Sequence, residues 1–413
     1  MSRISDLHEL GQSLWYDNIQ RRLLLDGTMA KRINTEDFLG MTSNPAIFNN
    51  AIAKSSDYDS DLQPMAWAGW KPEEIFYQLA IEDIQTAADL FKAQYEKSNH
   101  LNGYISLEVS PLLANNTRGT VEEAKKLWKR VNRPNLMVKI PATKAGIPAI
   151  KQAIAEGINV NVTLIFSLER YKEVIHAYIE GLALRHKKNL PIDNIASVAS
   201  FFISRFDSKI DAQLEKMIAA DKSKAASLQD LLGKAAIANA QAAYALFLEE
   251  FGSEQFKKLK AAGARVQRPL WASTSTKNPN YRDVIYVEEL IAPDTVNTVP
   301  PATLDAFADH GNAKVTITAE SMKKAAETIS RLEKLGINLD DVANILEEEG
   351  VKAFAVAYRD LLKTIEGRCK QFKKDLGGLA AAIPPAIKAL EVDQFSKRMA
   401  EKDPTLWTAK TEA

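Results

Sequence analysis

The sequence holds a single cysteine, Cys369, among 413 residues. An intramolecular disulfide is excluded, and the chain fits a reducing compartment. Its surroundings favour helix, and free cysteine is among the most buried residue types, so an inert side chain is expected rather than a nucleophile. The five histidines are scattered, with no HxH or HxxxH pair. No zinc or other metal site is expected from them. Neither sign of charge is in excess, since 53 basic residues face 53 acidic ones. That balance argues against a broad nucleic-acid or anionic-membrane surface. No uninterrupted apolar run is long enough to span a bilayer. The N-terminal MSRISDLHELGQSLWYD has no apolar signal core. No short repeat or low-complexity tract stands out. A soluble cytoplasmic protein is expected.

What is present is a large apolar fraction, 46% of the residues, and a recurring pattern. A short β-like run is followed by a helix-like stretch. The runs are SLWYDNI (13–19), FLGMTSN (38–44), YISLEVS (104–110), LMVKIP (136–141), INVNVTLI (158–165), SVASFFI (197–203), RPLWAST (268–274) and DTVNTVP (294–300). Strands alternating with helices argue for βαβ units and a parallel sheet. Eight such units predict an α/β fold, a closed (β/α)8 TIM barrel, in place of the two or three domains that length alone suggests. Helical insertions are expected between runs two and three and between runs six and seven, the latter from Phe206 to Phe251. A long helical region follows over 319–372, so residues 1–372 are read as one barrel domain with C-terminal helices. Residues 373–413 form a tail expected to pack on the barrel or stay partly disordered. Pro384 and Pro385 should interrupt a helix there. A few turns of this tail docked near the barrel mouth would make a lid.

Side chains alternate faces along a strand. In YISLEVS, Ile105, Leu107 and Val109 share one face, and Ser106, Glu108 and Ser110 the other. In INVNVTLI, Ile158, Val160, Val162 and Leu164 oppose Asn159, Asn161 and Thr163. If the apolar faces meet the outer helices, the polar faces point into the barrel. Ordinary barrel interiors are filled by branched apolar residues. Polar inward residues near strand ends therefore suggest a reaction site, and Lys139 falls at the same mouth.

A lysine within LMVKIP has a simple explanation, an amine that snorkels to solvent from a strand end. The functional alternative is a desolvated amine that attacks a carbonyl and forms a Schiff base. Such chemistry needs a neighbouring acid or base. Glu108 and Asp17 each lie near the end of a β-like run. A structural ion pair with Lys139 would equally explain Glu108, and a surface loop would explain Asp17. In MTSNPAIFNNAI (41–52), Ser43 or Asn44 can cap a helix that starts with Pro45. Ser200 and Arg205 in SFFISRFD, with Ser273, Ser275 and Lys277 in WASTSTKNP, offer hydroxyls and cations late in the barrel. Arginine suits bidentate phosphate recognition, and lysine acts as a point charge.

Together these segments resemble the transaldolase family, in its longer bacterial form. TSNPAIF (42–48) matches the family's first signature and LMVKIPATKAGIPAI (136–150) its second. NVTLIFS (161–167), SFFISRFD (200–207) and WASTSTKNP (271–279) match as well, and the resemblance runs from about Ser13 to Arg368. It implies that Lys139 forms an imine with a ketose donor. Glu108 would work with a water held by Thr163, and Asp17 would handle the hydroxyl whose deprotonation starts carbon–carbon cleavage. Asn44, Asn161 and Ser200 would bind the dihydroxyacetone fragment. Arg205 would bind phosphate. Shorter members carry an arginine in an Ala-Ser-Phe-Arg-like motif in strand seven. Here the order is Ala272-Ser273-Thr274-Ser275-Thr276-Lys277, with no arginine; Lys277 is expected to replace that cation, and Ser273 to join it at the phosphate.

The implied reaction passes a dihydroxyacetone unit from sedoheptulose 7-phosphate to glyceraldehyde 3-phosphate, in the non-oxidative pentose phosphate pathway, with no metal or organic cofactor. The implied partners are small sugar phosphates. The helical surface does not decide between a monomer and a homodimer. A fructose-6-phosphate aldolase would use the same lysine and release the three-carbon unit, although such relatives are short chains. A non-catalytic sugar-phosphate-binding barrel is the alternative of another class, and it should have lost Lys139, Asp17 or Glu108.

Overall fold

Eight parallel strands close on themselves: β1 (Gln12–Asp17), β2 (Gly40–Thr42), β3 (Tyr104–Glu108), β4 (Leu136–Pro141), β5 (Val160–Ile165), β6 (Ser197–Phe202), β7 (Arg268–Ala272) and β8 (Thr295–Val299). The structure is a computed structural model and describes residues 2–406. Strand β8 pairs with β1 from Gln12↔Thr295 to Tyr16↔Val299 and leaves no open edge. The fold is the expected (β/α)8 barrel with additional helices. Each predicted run coincides with one strand, β1 beginning one residue ahead of its run.

Register carries polar residues around the barrel. Glu108 pairs with Lys139, Lys139 with Asn161, and Asp17 with Thr42. Paired residues in a parallel ladder point to one side, so the polar parity of one strand continues onto the next. The opposite faces carry Leu107, Val138, Val160 and Val162, all fully or almost fully buried.

Strand β5 departs from simple alternation. Its register to β6 shifts between Val162 and Ile165, and Leu164 has φ 62°. Such a bulge bends a strand and re-aims its side chains beside a site. Leu164 thereby leaves the face it would share with Val162. It packs beneath Gly350, where an added Cβ would lie 3.0 Å from Leu164 Cδ2. Gly350 belongs to the helix Leu339–Asp375, which contacts β5 and the helices Pro45–Ala53, Asp59–Trp67, Pro72–Leu90 and Ser204–Ala220. Tyr358 anchors it by donating to Glu73 Oε1 at 2.7 Å, and Arg368 pairs with Asp59.

Pro384 and Pro385 do not interrupt a helix. They lie in the first turn of the helix Ile383–Val392, where a missing N–H breaks no helical bond. None of the three helical segments between Gly377 and Ala400 has a buried residue. None of their residues lines the cavity at the barrel mouth. Part of that tail, residues 407–413, lies outside the described residues.

Candidate active site

A cavity of about 190 Å³ opens at the C-terminal ends of the strands. Asp17, Asn44, Lys139, Thr163, Ser200, Arg205, Ser273 and Lys277 all line it. Eight of the ten expected site residues therefore converge on one space. The other two, Glu108 and Asn161, sit behind its wall.

Lys139 projects inward from β4 and is only 6% exposed. Its Nζ donates to the Ser43 carbonyl at 3.2 Å and lies 3.9 Å from Glu108 Oε2. The Phe354 ring stands over it, with its centroid 5.7 Å from Nζ. A buried ammonium normally has a close, fully hydrogen-bonded partner. Here the carboxylate stands at ion-pair distance without a hydrogen bond. Glu108 Oε2 is in fact buried with no hydrogen-bond partner among the described residues, and so is Thr163 Oγ1. Burial pushes the Glu108 carboxyl up to about 7; Lys139 opposes this and Asp17 adds to it. A lysine that snorkels to solvent does not fit this burial, and the 3.9 Å contact with Glu108 is an ion pair with no hydrogen bond in it.

Asp17 terminates β1. Its Oδ1 accepts a hydrogen bond from Thr42 Oγ1 at 2.6 Å, and Thr298 Oγ1 lies 2.6 Å from the Thr42 hydroxyl. Thr42 has one proton and gives it to Asp17, so Thr298 must donate to Thr42. The chain of hydroxyls fixes the carboxylate. Burial raises the pKa of Asp17, while Lys139 and the Thr42 hydrogen bond oppose the rise.

Asn44, of the two capping candidates, is the N-cap of the helix Pro45–Ala53, accepting from Ile47 N–H at 3.0 Å. That bond uses its amide oxygen, and Asn44 lines the cavity. Ser43 instead donates to the Ser106 carbonyl at 2.7 Å. Asn161 donates to Ser106 Oγ at 3.0 Å and accepts from Ser200 Oγ at 2.7 Å, so its amide plane is locked.

Arg205 and Lys277 meet at the other end of the cavity. Lys277 Nζ donates to Ser275 Oγ at 2.9 Å. Partial burial lowers the pKa of Lys277, and the Arg205 charge lowers it further. Ser273 follows β7 with φ 56°, and its hydroxyl lies 3.0 Å from Ser204 Oγ. The loop after Lys277 is tied down by Tyr281, which donates to Asp211 Oδ2 at 2.7 Å. Two cations and the hydroxyls of Ser273 and Ser275 lining one cavity suit a phosphate dianion.

Sequence reasoning missed Thr42, Phe202, Thr298, Pro300 and Phe354 as cavity residues. Thr42 stood inside the quoted TSNP signature. In DTVNTVP alternation puts Thr298 on one face with Val296, opposite Thr295 and Asn297, so strand parity does not single it out. Nothing local marks Phe354. Among the described residues no group of three or more His, Cys, Asp or Glu side chains converges as metal ligands do, and no helix is long and apolar enough to cross a membrane.

A model of the transaldolase/fructose-6-phosphate aldolase family matches residues 14–365. The chain belongs to this family. Among its curated relatives, "Transaldolase" of Mycolicibacterium smegmatis is 46% identical over 371 residues, covering 90% of this chain and 98% of the relative. "Transaldolase" of Saccharopolyspora erythraea is 45% identical over 372 residues, covering 90% and 99%. "Transaldolase 2" of Nostoc sp. is 44% identical over 377 residues, covering 90% and 98%.

Proposed function

We propose that this enzyme is a transaldolase that moves a dihydroxyacetone unit from sedoheptulose 7-phosphate to glyceraldehyde 3-phosphate, yielding erythrose 4-phosphate and fructose 6-phosphate in the non-oxidative pentose phosphate pathway. The observation that carries the reading is Lys139, a buried amine held between a main-chain carbonyl and a carboxyl poised near neutrality. In its neutral form the amine adds to the C2 carbonyl of the ketose, and loss of water leaves a protonated imine. Asp17 takes the proton of the C4 hydroxyl. The C3–C4 electrons flow into the imine, the aldose aldehyde leaves, and an enamine remains on Lys139. The acceptor aldehyde then reacts with that enamine, Asp17 returns its proton, and water releases the new ketose.

Glu108 moves protons to and from the nitrogen and the departing water. A carboxyl near 7 suits exchange in both directions at neutral pH. A water bridging Glu108 Oε2 and Thr163 Oγ1 would satisfy two buried atoms that lack partners among the described residues. Asn44, Ser200 and Asn161 hold the hydroxyls of the three-carbon unit, and Arg205 with Lys277 holds the phosphate. No step requires a metal or organic cofactor. The lone cysteine supports a cytoplasmic setting.

The test is product analysis with fructose 6-phosphate, with and without erythrose 4-phosphate. A transaldolase forms sedoheptulose 7-phosphate only when the acceptor is present. Acceptor-independent release of free dihydroxyacetone as the main product would make the enzyme an aldolase of the same family.

A further inference from the structure

Three arginines of this protein are almost fully buried: Arg21, Arg170 and Arg268. Arg21 is ringed by Asp61, Glu82 and Asp83, and Arg170 by Glu173 and Glu347. Arg268 is 4% exposed and, among the described residues, meets no carboxylate. Its Nη1 donates to Ser13 Oγ at 2.9 Å and its Nη2 to the Leu101 carbonyl at 2.7 Å, with Asn102 Oδ1 at 3.5 Å. All are neutral acceptors. A desolvated guanidinium with no counter-charge is costly. Burial lowers its pKa to about 10; Tyr104 and Asp294 oppose this in part, and the neighbouring Arg265 adds the smallest contribution, a further lowering.

Arg268 begins β7, whose other end, Ala272, lines the catalytic cavity. It therefore sits at the opposite end of the barrel. There it lines a pocket of about 360 Å³ together with Arg265. Arg265 likewise bonds only carbonyls, donating from Nε to Asp193 O at 3.0 Å and from Nη1 to Asn99 O at 2.7 Å. Arg268 Nε and Arg265 Nη2 have no acceptor among the described residues.

We propose that this pocket is an anion site, in which Arg265 and Arg268 together hold a phosphate-sized oxyanion, either free phosphate or the phosphoryl end of a small metabolite. The anion supplies the counter-charge that the protein gives its other buried arginines. Paired guanidinium groups with unused N–H donors match phosphate oxygens geometrically.

The test separates this pocket from the catalytic phosphate site. Full-length R205A/K277A protein is titrated with inorganic phosphate, followed by calorimetry and by thermal midpoint, and then with glycerol 3-phosphate. Both substitutions lie at half-exposed or exposed positions, so the barrel should persist. One phosphate bound per chain, with a raised midpoint, is the expected result. Adding R265Q should weaken binding about tenfold, the effect of losing a charge-assisted donor. Tighter binding of glycerol 3-phosphate than of phosphate identifies a metabolite's phosphoryl group as the ligand, and the reverse order identifies free phosphate. Should R265Q fold poorly, crystals of the parent soaked in tungstate give the location directly, with anomalous density expected beside Arg268. No saturable binding by R205A/K277A, unchanged affinity in a folded R265Q protein, or tungstate found only elsewhere overturns the proposal.

Discussion

Replacing Glu108 with glutamine keeps the shape of the side chain and removes its charge. The carboxyl is 6% exposed and pushed from its ordinary value near 4.5 up to about 7, chiefly by burial. The folded protein therefore keeps this proton to higher pH than the unfolded chain does. Between pH 4.5 and 7 the native state binds more protons at this site, so stability falls as pH rises through that window. At 1.36 kcal/mol per pH unit, the wild type should lose about 2–3 kcal/mol from this group between pH 5 and pH 8. Glu108→Gln should lack that loss. Urea unfolding of both proteins at pH 5 and pH 8 measures the difference; titrating groups remote from Glu108 cancel in the comparison, and its charged neighbours Lys139 and Asp17 enter only through their coupling to it. The same variant should turn over about 10²- to 10⁴-fold more slowly, as expected for removal of a general acid–base. Parallel pH dependences of stability in the two proteins would refute the claim that burial holds Glu108 protonated near neutrality.

Lys277→Ala should raise KM for phosphorylated donors about tenfold with a smaller change in kcat, because it removes one cation from the phosphate pair; steady-state kinetics with phosphorylated and non-phosphorylated ketoses checks this. Asp17→Asn should still form the imine but lose about 10²-fold or more in turnover, since the step it serves follows imine formation; rapid-quench trapping set against steady-state rates separates the two. Phe354→Ala should uncover Lys139 at a cost in stability of about 1–2 kcal/mol, below that of a fully buried ring. It should also raise free dihydroxyacetone release relative to transfer, read from product ratios.

The barrel and the floor of its site were legible because strand parity is local. Ser106, Glu108, Asn161 and Thr163 fall on the polar side of runs whose other side is apolar, and alternation alone aims them inward. Arg205 and Lys277 could be named as phosphate ligands by residue type, but only the fold brings them to one end of one cavity. The bulge at Leu164 was hidden, since a left-handed leucine carries none of the glycine or asparagine that mark such positions. It depends instead on Gly350, distant in the chain, which lets the long helix settle on Leu164. Phe354 sits one turn beyond that glycine and inherits its place over Lys139 from the same packing. The Thr298–Thr42–Asp17 relay joins β1, β2 and β8, so it exists only once the barrel closes. Pro384 and Pro385 were read as breakers because their position within a turn depends on where the helix begins.

The central claim is that Lys139 carries the substrate covalently. The direct measurement is borohydride reduction in the presence of fructose 6-phosphate, followed by peptide mass mapping, with Lys139→Ala as the control. The account predicts a ketose-derived adduct on Lys139 in the wild type and none in the variant. A folded wild-type protein that gives no adduct at saturating sugar, or gives it on another lysine, would contradict the account.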